Sequence, residues 1–143
     1  MTPQPSSLTA VALRLSPGDD VFDTLDAWAR DQWIQAACVL TCVGSLRRAV
    51  IRFADQDKWT PLDGPWEIVA VTGTLSQHGS HYHIALSDGS GRTIGGHVSS
   101  GCIVYTTAEI VLGVLPELRF AREFDRASGY DELAVQPLRD PSL

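Results

Sequence analysis

Residues His81 to His97 read HYHIALSDGSGRTIGGH, and few folds accommodate that pattern. In an extended strand successive side chains point to opposite faces. Tyr82, Ile84 and Leu86 therefore form one apolar face, with His81, His83, Ala85 and Ser87 on the other. Gly89-Ser90-Gly91 suits a three-residue hairpin loop, a type I turn followed by a left-handed residue at Gly91. Asp88 then faces Arg92, which puts His83 opposite His97, Leu86 opposite Ile94 and Tyr82 opposite Val98. A slip of one residue would set His97 on the apolar face, so the hydrophobic pattern selects the register that gathers the histidines. The chain must contain an antiparallel sheet with one face on a core and three of its four histidines on the other.

Side chains at i and i+2 on a strand stand about 6–7 Å apart at the backbone. Directly opposed residues have Cβ atoms about 4.5–5.5 Å apart. Three imidazoles so placed reach a common point about 2.0–2.1 Å from each nitrogen, and three histidines with an open position suit catalytic-type zinc. Iron, nickel or copper also accept such a donor set. His81, His83 and His97 are thus the candidate metal ligands, with zinc the preferred divalent ion. A hydrogen-bonded histidine cluster and a metal-free catalytic base are the alternatives. Gly95 and Gly96 leave space beside the ligands for a metal, a small molecule or close packing. His78, next to Gly79, reads as a loop residue.

The rest of the chain supplies more strands and one clear helix. Thr9 to Leu15 reads as a strand. Ser16-Pro17 followed by Asp19 and Asp20 predicts a helix start with Ser16 as the capping hydroxyl. Val21, Phe22, Leu25, Trp28 and Ala29 make one apolar stripe on a helix ending near Ile34. Ala36 to Val43 is a buried strand, Gly44-Ser45 a turn and Leu46 to Phe53 another strand. Ala54 to Gly64 reads as a loop anchored by Trp59. Further strands cover Trp66 to Leu75, Cys102 to Leu115 and Phe120 to Phe124, while GYDELAV reads as a turn with a brief helical piece. The class is α+β, a mostly antiparallel sheet packed by one main helix. One domain spans 9–137, after a flexible lead at 1–8 and before a polar tail at 138–143.

Charge and composition narrow the partners. A net charge of −6 repels nucleic acid unless a local basic patch overrides it. Arg47, Arg48 and Arg52 form a thin footprint that reads as solvated edge charges. No apolar run approaches the roughly 20 residues that span a bilayer. MTPQPSSLTA carries no secretory signal, so a soluble, cytoplasmic protein without membrane partners is expected. Three cysteines, Cys38, Cys42 and Cys102, argue by their odd number against a disulfide framework and read as buried free thiols. GSGRTIGG lacks the spacing and the strand-to-helix setting of a dinucleotide fingerprint. Ser99 shares the histidine face by parity. Glu109, in TTAEIV, is the candidate catalytic carboxylate, as a general base or as a group that orients a ligand histidine. A buried carboxylate paired with an arginine is the alternative, and Glu67 carries the same ambiguity.

Four segments recur here in a familiar order: GSL at Gly44 to Leu46, GPWEIVAVTGTL at Gly64 to Leu75, the histidine segment, and GCIVYTTAEIVL at Gly101 to Leu112. Together they resemble the plants-and-prokaryotes conserved (PPC) domain, over about Arg14 to Leu133. The resemblance implies a compact α+β domain that assembles as a homotrimer. In plants the domain follows AT-hooks, short Arg-Gly-Arg-Pro segments that this sequence lacks. In prokaryotes it stands alone, and some members look like metal proteins using the HxH and GGH histidines, which correspond to His81, His83 and His97. The plant GRFEIL-type segment is matched by GPWEIV, with Pro65 and Trp66 in place of arginine and phenylalanine. The expectation is a stand-alone PPC-domain protein that binds a divalent metal, in a regulatory or sensor role, with room for a small-molecule ligand. A metal-dependent hydrolase using metal-bound water, with Glu109 as base, is the second expectation. A DNA-associated assembly factor ranks last on charge.

Overall fold

The computed structural model of the chain describes residues 3–138. Met1, Thr2 and residues 139–143, which hold the start of the lead and nearly all of the polar tail, lie outside the described residues. The order of elements is β1 (Thr9–Leu15), α1 (Val21–Asp31), β2 (Ala37–Arg52), β3 (Thr60–Ser76), β4 (Gly79–Ser87), β5 (Thr93–Val98), β6 (Ile103–Val114), β7 (Leu118–Asp125) and β8 (Tyr130–Pro137). Strands β1-β6-β2-β3-β4-β5 form one antiparallel sheet in that order, and β7 and β8 pair as a separate two-stranded sheet. The α+β class, mostly antiparallel sheet with one helix, describes the molecule. Ser6 and Ser7, at the end of the lead, hydrogen-bond the Glu117 carboxylate.

The helix begins later than its sequence signals suggest. Asp20, not Ser16, is the N-cap: its carboxylate accepts the Asp23 N–H at 3.1 Å and the Gly101 N–H at 2.6 Å. Ser16 to Asp19 instead close a turn, with the Asp19 N–H donating to the Ser16 carbonyl and the Ser16 N–H to the Asp19 carboxylate. The apolar stripe is as expected, with Val21, Leu25 and Ala29 buried and Phe22 and Trp28 packed at its edges. The helix stops at Asp31, and Trp33 with φ 53° turns the chain towards β2.

Gly44-Ser45 is not a turn. Both residues lie inside one 16-residue strand, β2. A side chain at Gly44 would collide with the Thr107 carbonyl of β6, so glycine there serves a close backbone approach across the sheet. Register shifts along β2, on its pairing with β6 and with β3, mark bulges that bend and twist it. The bent end pairs with β5 as well, Ile51 with Val98 and Arg52 with His97. That contact closes β2-β3-β4-β5 into a ring.

Inside the curve sits a continuous core that includes Leu15, Leu25, Leu46, Ile51, Tyr82, Leu86, Val104 and Leu112. Each such side chain contributes roughly 1.5–3 kcal/mol on burial. Tyr82 lies under α1, its ring edge-on to Phe22 at 5.7 Å and its hydroxyl donating to Asp26 at 3.2 Å. The apolar face of β4 is thereby held against the helix, and its histidines project from the opposite face.

Candidate metal centre

The hairpin register agrees with the pattern that predicts it. His83 pairs with His97, Leu86 with Ile94 and Ser87 with Thr93. Gly91 adopts φ 82° and its N–H donates to the Asp88 carbonyl, while the Asp88 N–H donates to the Arg92 carbonyl. The Asp88 carboxylate accepts N–H bonds from Ser90 and Arg92 and a hydroxyl from Ser90, and these bonds hold its pKa below the usual carboxylate range.

His81, His83 and His97 converge. Their candidate donor nitrogens all lie within 4.8 Å of one another. The Nε2 atoms of His81 and His83 are 3.2 Å apart, and the ring centroids are separated by 4.9, 4.5 and 5.5 Å. Tetrahedral zinc with bonds of about 2.0–2.1 Å spaces its ligand nitrogens about 3.3 Å apart. One pair already has that spacing, and the donor nitrogen of His97 lies within 4.8 Å of both. Among the described residues, the only hydrogen bond made by any of the three rings is the one between His81 and His83. Burial, then the neighbouring imidazole and the Arg122 and Arg52 guanidiniums, hold His81 below its ordinary value, with Glu132 opposing. Burial, His81 and Arg52 pull His97 down to about 4. At neutral pH both rings are therefore neutral and offer lone pairs, as metal ligation requires. The donor set fits a divalent ion of borderline softness.

A cavity of about 1030 Å³ opens over these rings. Its inner wall carries the half-buried Arg52 and Arg122, and its rim carries the exposed Asp55, Asp57, Asp131 and Glu132. A side chain at Gly96 would collide with the Arg52 carbonyl, so that glycine lets β5 close on β2 and brings His97 beside Arg52.

The Plants and Prokaryotes Conserved (PCC) domain model matches residues 2–116. The chain belongs to this family. A hypothetical protein from Salmonella cholerae-suis is 41% identical and superimposes with a TM-score of 0.93, over 95% of this chain and 99% of that one. A metal-containing protein from Archaeoglobus fulgidus is 25% identical with a TM-score of 0.79, over 94% of this chain and 99% of that one. The bifunctional protein GlmU of Synechococcus sp. (strain JA-2-3B'a(2-13)) is 48% identical over 94% of this chain, which spans 21% of that protein's length.

Other residues singled out in the sequence fall elsewhere. Glu109 is exposed on β6 between Arg14 of β1 and Val43 of β2, and does not line the histidine cavity. Its neighbours along β6, Ala108 and Ile110, take the buried face, so alternation turns Glu109 outward. Glu67 is likewise exposed. Cys42 and Cys102 are buried free thiols, which desolvation pushes up to about 12 and about 11. Cys38 is free and partly buried. Within the described residues no helix is long and apolar enough to cross a membrane.

Sequence reasoning misreads Arg52 and Trp59 and gives Arg122 no place beside the histidines. Arg52 is not a solvated edge charge: its guanidinium lies 5.8 Å from the Trp59 ring and donates to the Gln56 carbonyl. Trp59 is not a core anchor: it is 42% exposed, with its ring 5.6 Å from that of His97. His78 sits in the turn between β3 and β4, as expected of a loop residue, and there it lines the same cavity, outside the triad, and accepts from Arg119 at 3.4 Å. Arg122 arrives from β7 and donates to Thr74 of β3. A local pattern carries no signal for Arg52 and Arg122, because each reaches the site through a contact distant in sequence.

Proposed function

We propose that this PPC-family protein holds one divalent ion, zinc by preference, on His81, His83 and His97. The observation that carries the reading is the convergence of three imidazoles from two paired strands, with donor nitrogens within 4.8 Å. The neutral state of His81 and His97 supports it. So does the similarity to an archaeal protein described as metal-containing. A bound ion with three protein ligands supplies a Lewis-acidic open position. The chain's own residues orient whatever reaches that position: Trp59 flanks His97, and the inner wall of the cavity presents Arg52 and Arg122.

We also propose a homotrimer as the working form. The exposed apolar side chains Val69, Val43 and Tyr105, each about half accessible, lie on the adjacent strands β3, β2 and β6. Exposed apolar side chains on three neighbouring strands support an interaction surface there.

Elemental analysis of protein purified without chelator tests the first reading, beside His83→Ala. One equivalent of metal per chain is expected in the parent and a large loss in the variant. A parent protein that carries no metal and takes up none refutes the site. Light scattering on the same samples tests the assembly, and a monomer refutes it.

A further inference from the structure

The cavity over the histidines contains two arginines that lack a carboxylate partner. Among the described residues, the only ion pair within 4.0 Å joins Arg92 to Asp88, on the far turn of the hairpin. Arg52 donates to one main-chain carbonyl, and Arg122 to the Thr74 hydroxyl. Both are half-buried and line the cavity. A partly buried guanidinium keeps five donors in a rigid fork, and one or two bonds leave most of them free.

Their placement is specific. Arg52 is the β-partner of His97. Thr74, which holds Arg122, is the β-partner of His81. The two guanidiniums therefore bracket the imidazoles, one from the β2 side and one from the β3 side. The carboxylates of the cavity, Asp55, Asp57, Asp131 and Glu132, are all exposed. Water and salt screen exposed charges strongly and half-buried ones much less. The interior of the cavity is thus cationic within a rim whose exposed carboxylates are strongly screened, and a small anion can enter it.

We propose that Arg52 and Arg122 make this cavity the receptor for a small oxyanion, a carboxylate or a phosphate, held between the two guanidiniums above the histidine triad. The inference deepens the metal-site reading and rests on it for the floor of the cavity. Planar forked donors match the paired oxygens of both anion classes. Trp59, tilted against His97 and 5.8 Å from the Arg52 guanidinium, flanks both groups from outside the cavity lining.

Calorimetric titration of the full chain with inorganic phosphate and with malonate tests this and distinguishes the two sources of oxyanion, with glycerol as the neutral control. Metal content is read on every sample. The parent should bind at least one of the two anions and not glycerol, with affinity falling as salt is added. Arg52→Gln and Arg122→Gln should each weaken binding by about 10–100-fold, the worth of a charge-assisted hydrogen bond, at unchanged metal content. Arg122→Lys, which keeps the charge, should recover part of the loss and controls for folding. Arg-dependent anion binding in samples that carry no metal and take up none would refute the metal reading and leave this one standing. Absence of anion binding, equal affinity for glycerol, or affinities unchanged in both glutamine variants overturns it.

Discussion

Two hairpins meet at the cavity, and they are built differently. The β4–β5 hairpin lies within the six-stranded sheet and is paired on both sides, with β3 along β4 and with the end of β2 along β5. Its apolar face buries Tyr82, Ile84, Leu86 and Val98 in the main core. The β7–β8 hairpin forms its own two-stranded sheet and buries only Leu118 and Phe120, against Ala36. Phe124 and Tyr130, at its far end, are 66% and 68% exposed. A two-stranded sheet is marginal alone, and its stability comes from the few side chains that dock it. One hairpin thus presents the imidazoles on a rigid floor, and the other presents Arg122 on an element held at one end. Regions that open at low free energy are those with few buried apolar contacts, so the two walls should differ in dynamics although they face the same space.

Leu86→Ala should have the largest effect. Leu86 is fully buried on β4, and a Leu→Ala change in a closed core costs about 2–5 kcal/mol. Denaturant unfolding should show that loss, and metal affinity should fall with it. A variant as stable as the parent would show that the floor is not held by its apolar face.

The same contrast explains what the sequence made legible. The β4–β5 hairpin was readable because turn chemistry and alternation are local: Gly91 needs its left-handed φ, and only one register keeps Leu86 and Ile94 on the core side. The helix stripe and β1 were readable for the same reason. GYDELAV has the pattern of a turn with a helical piece, yet it forms most of β8, paired from Tyr130 with Asp125 to Pro137 with Leu118. Asp131 and Glu132 disfavour a strand by propensity, and pairing to β7 overrides them. Gly44 looked like a turn because its reason, the Thr107 carbonyl, lies more than sixty residues away. Arg52 and Arg122 could not be assigned to the site for the same reason, since β2 reaches β5 only after bending and β7 docks only through the fold.

Metal removal should come next in size. The proposed ligands lie on β4 and β5 alone, so an ion there stabilises the floor and not the second hairpin. A ligand present at 100 times its dissociation constant adds about 2.7 kcal/mol. A chelator should lower the unfolding midpoint of the parent by the equivalent of that amount. It should leave His83→Ala unmoved, because that variant has already lost the ion, and removing the exposed His83 imidazole disturbs little else. An equal chelator effect on both proteins would place the ion elsewhere.

Phe120→Ala should cost about 2 kcal/mol, below the 3–5 kcal/mol of a phenylalanine in a full core, because only a small cluster packs against it. The informative readout is hydrogen exchange. Amides of β7 and β8 should exchange faster in the variant, while those of β4 and β5 keep their protection. Uniform acceleration across both hairpins would mean that the molecule opens as one unit and that the contrast between the walls is false.

Tyr130→Ala should have the smallest effect and tests the comparison most sharply. Tyr130 lines the mouth of the cavity yet is 68% exposed, at the end of β8 that no core cluster reaches. Its only strand partner is Asp125, across the tip of the hairpin. Substitutions at such exposed positions stay within about 0.5 kcal/mol, so the unfolding midpoint and the metal content should match the parent. A stability loss above about 1 kcal/mol would mean that the far end of β7–β8 is docked in solution. The cavity would then have two rigid walls, because only groups removed from water on folding can account for a cost of that size.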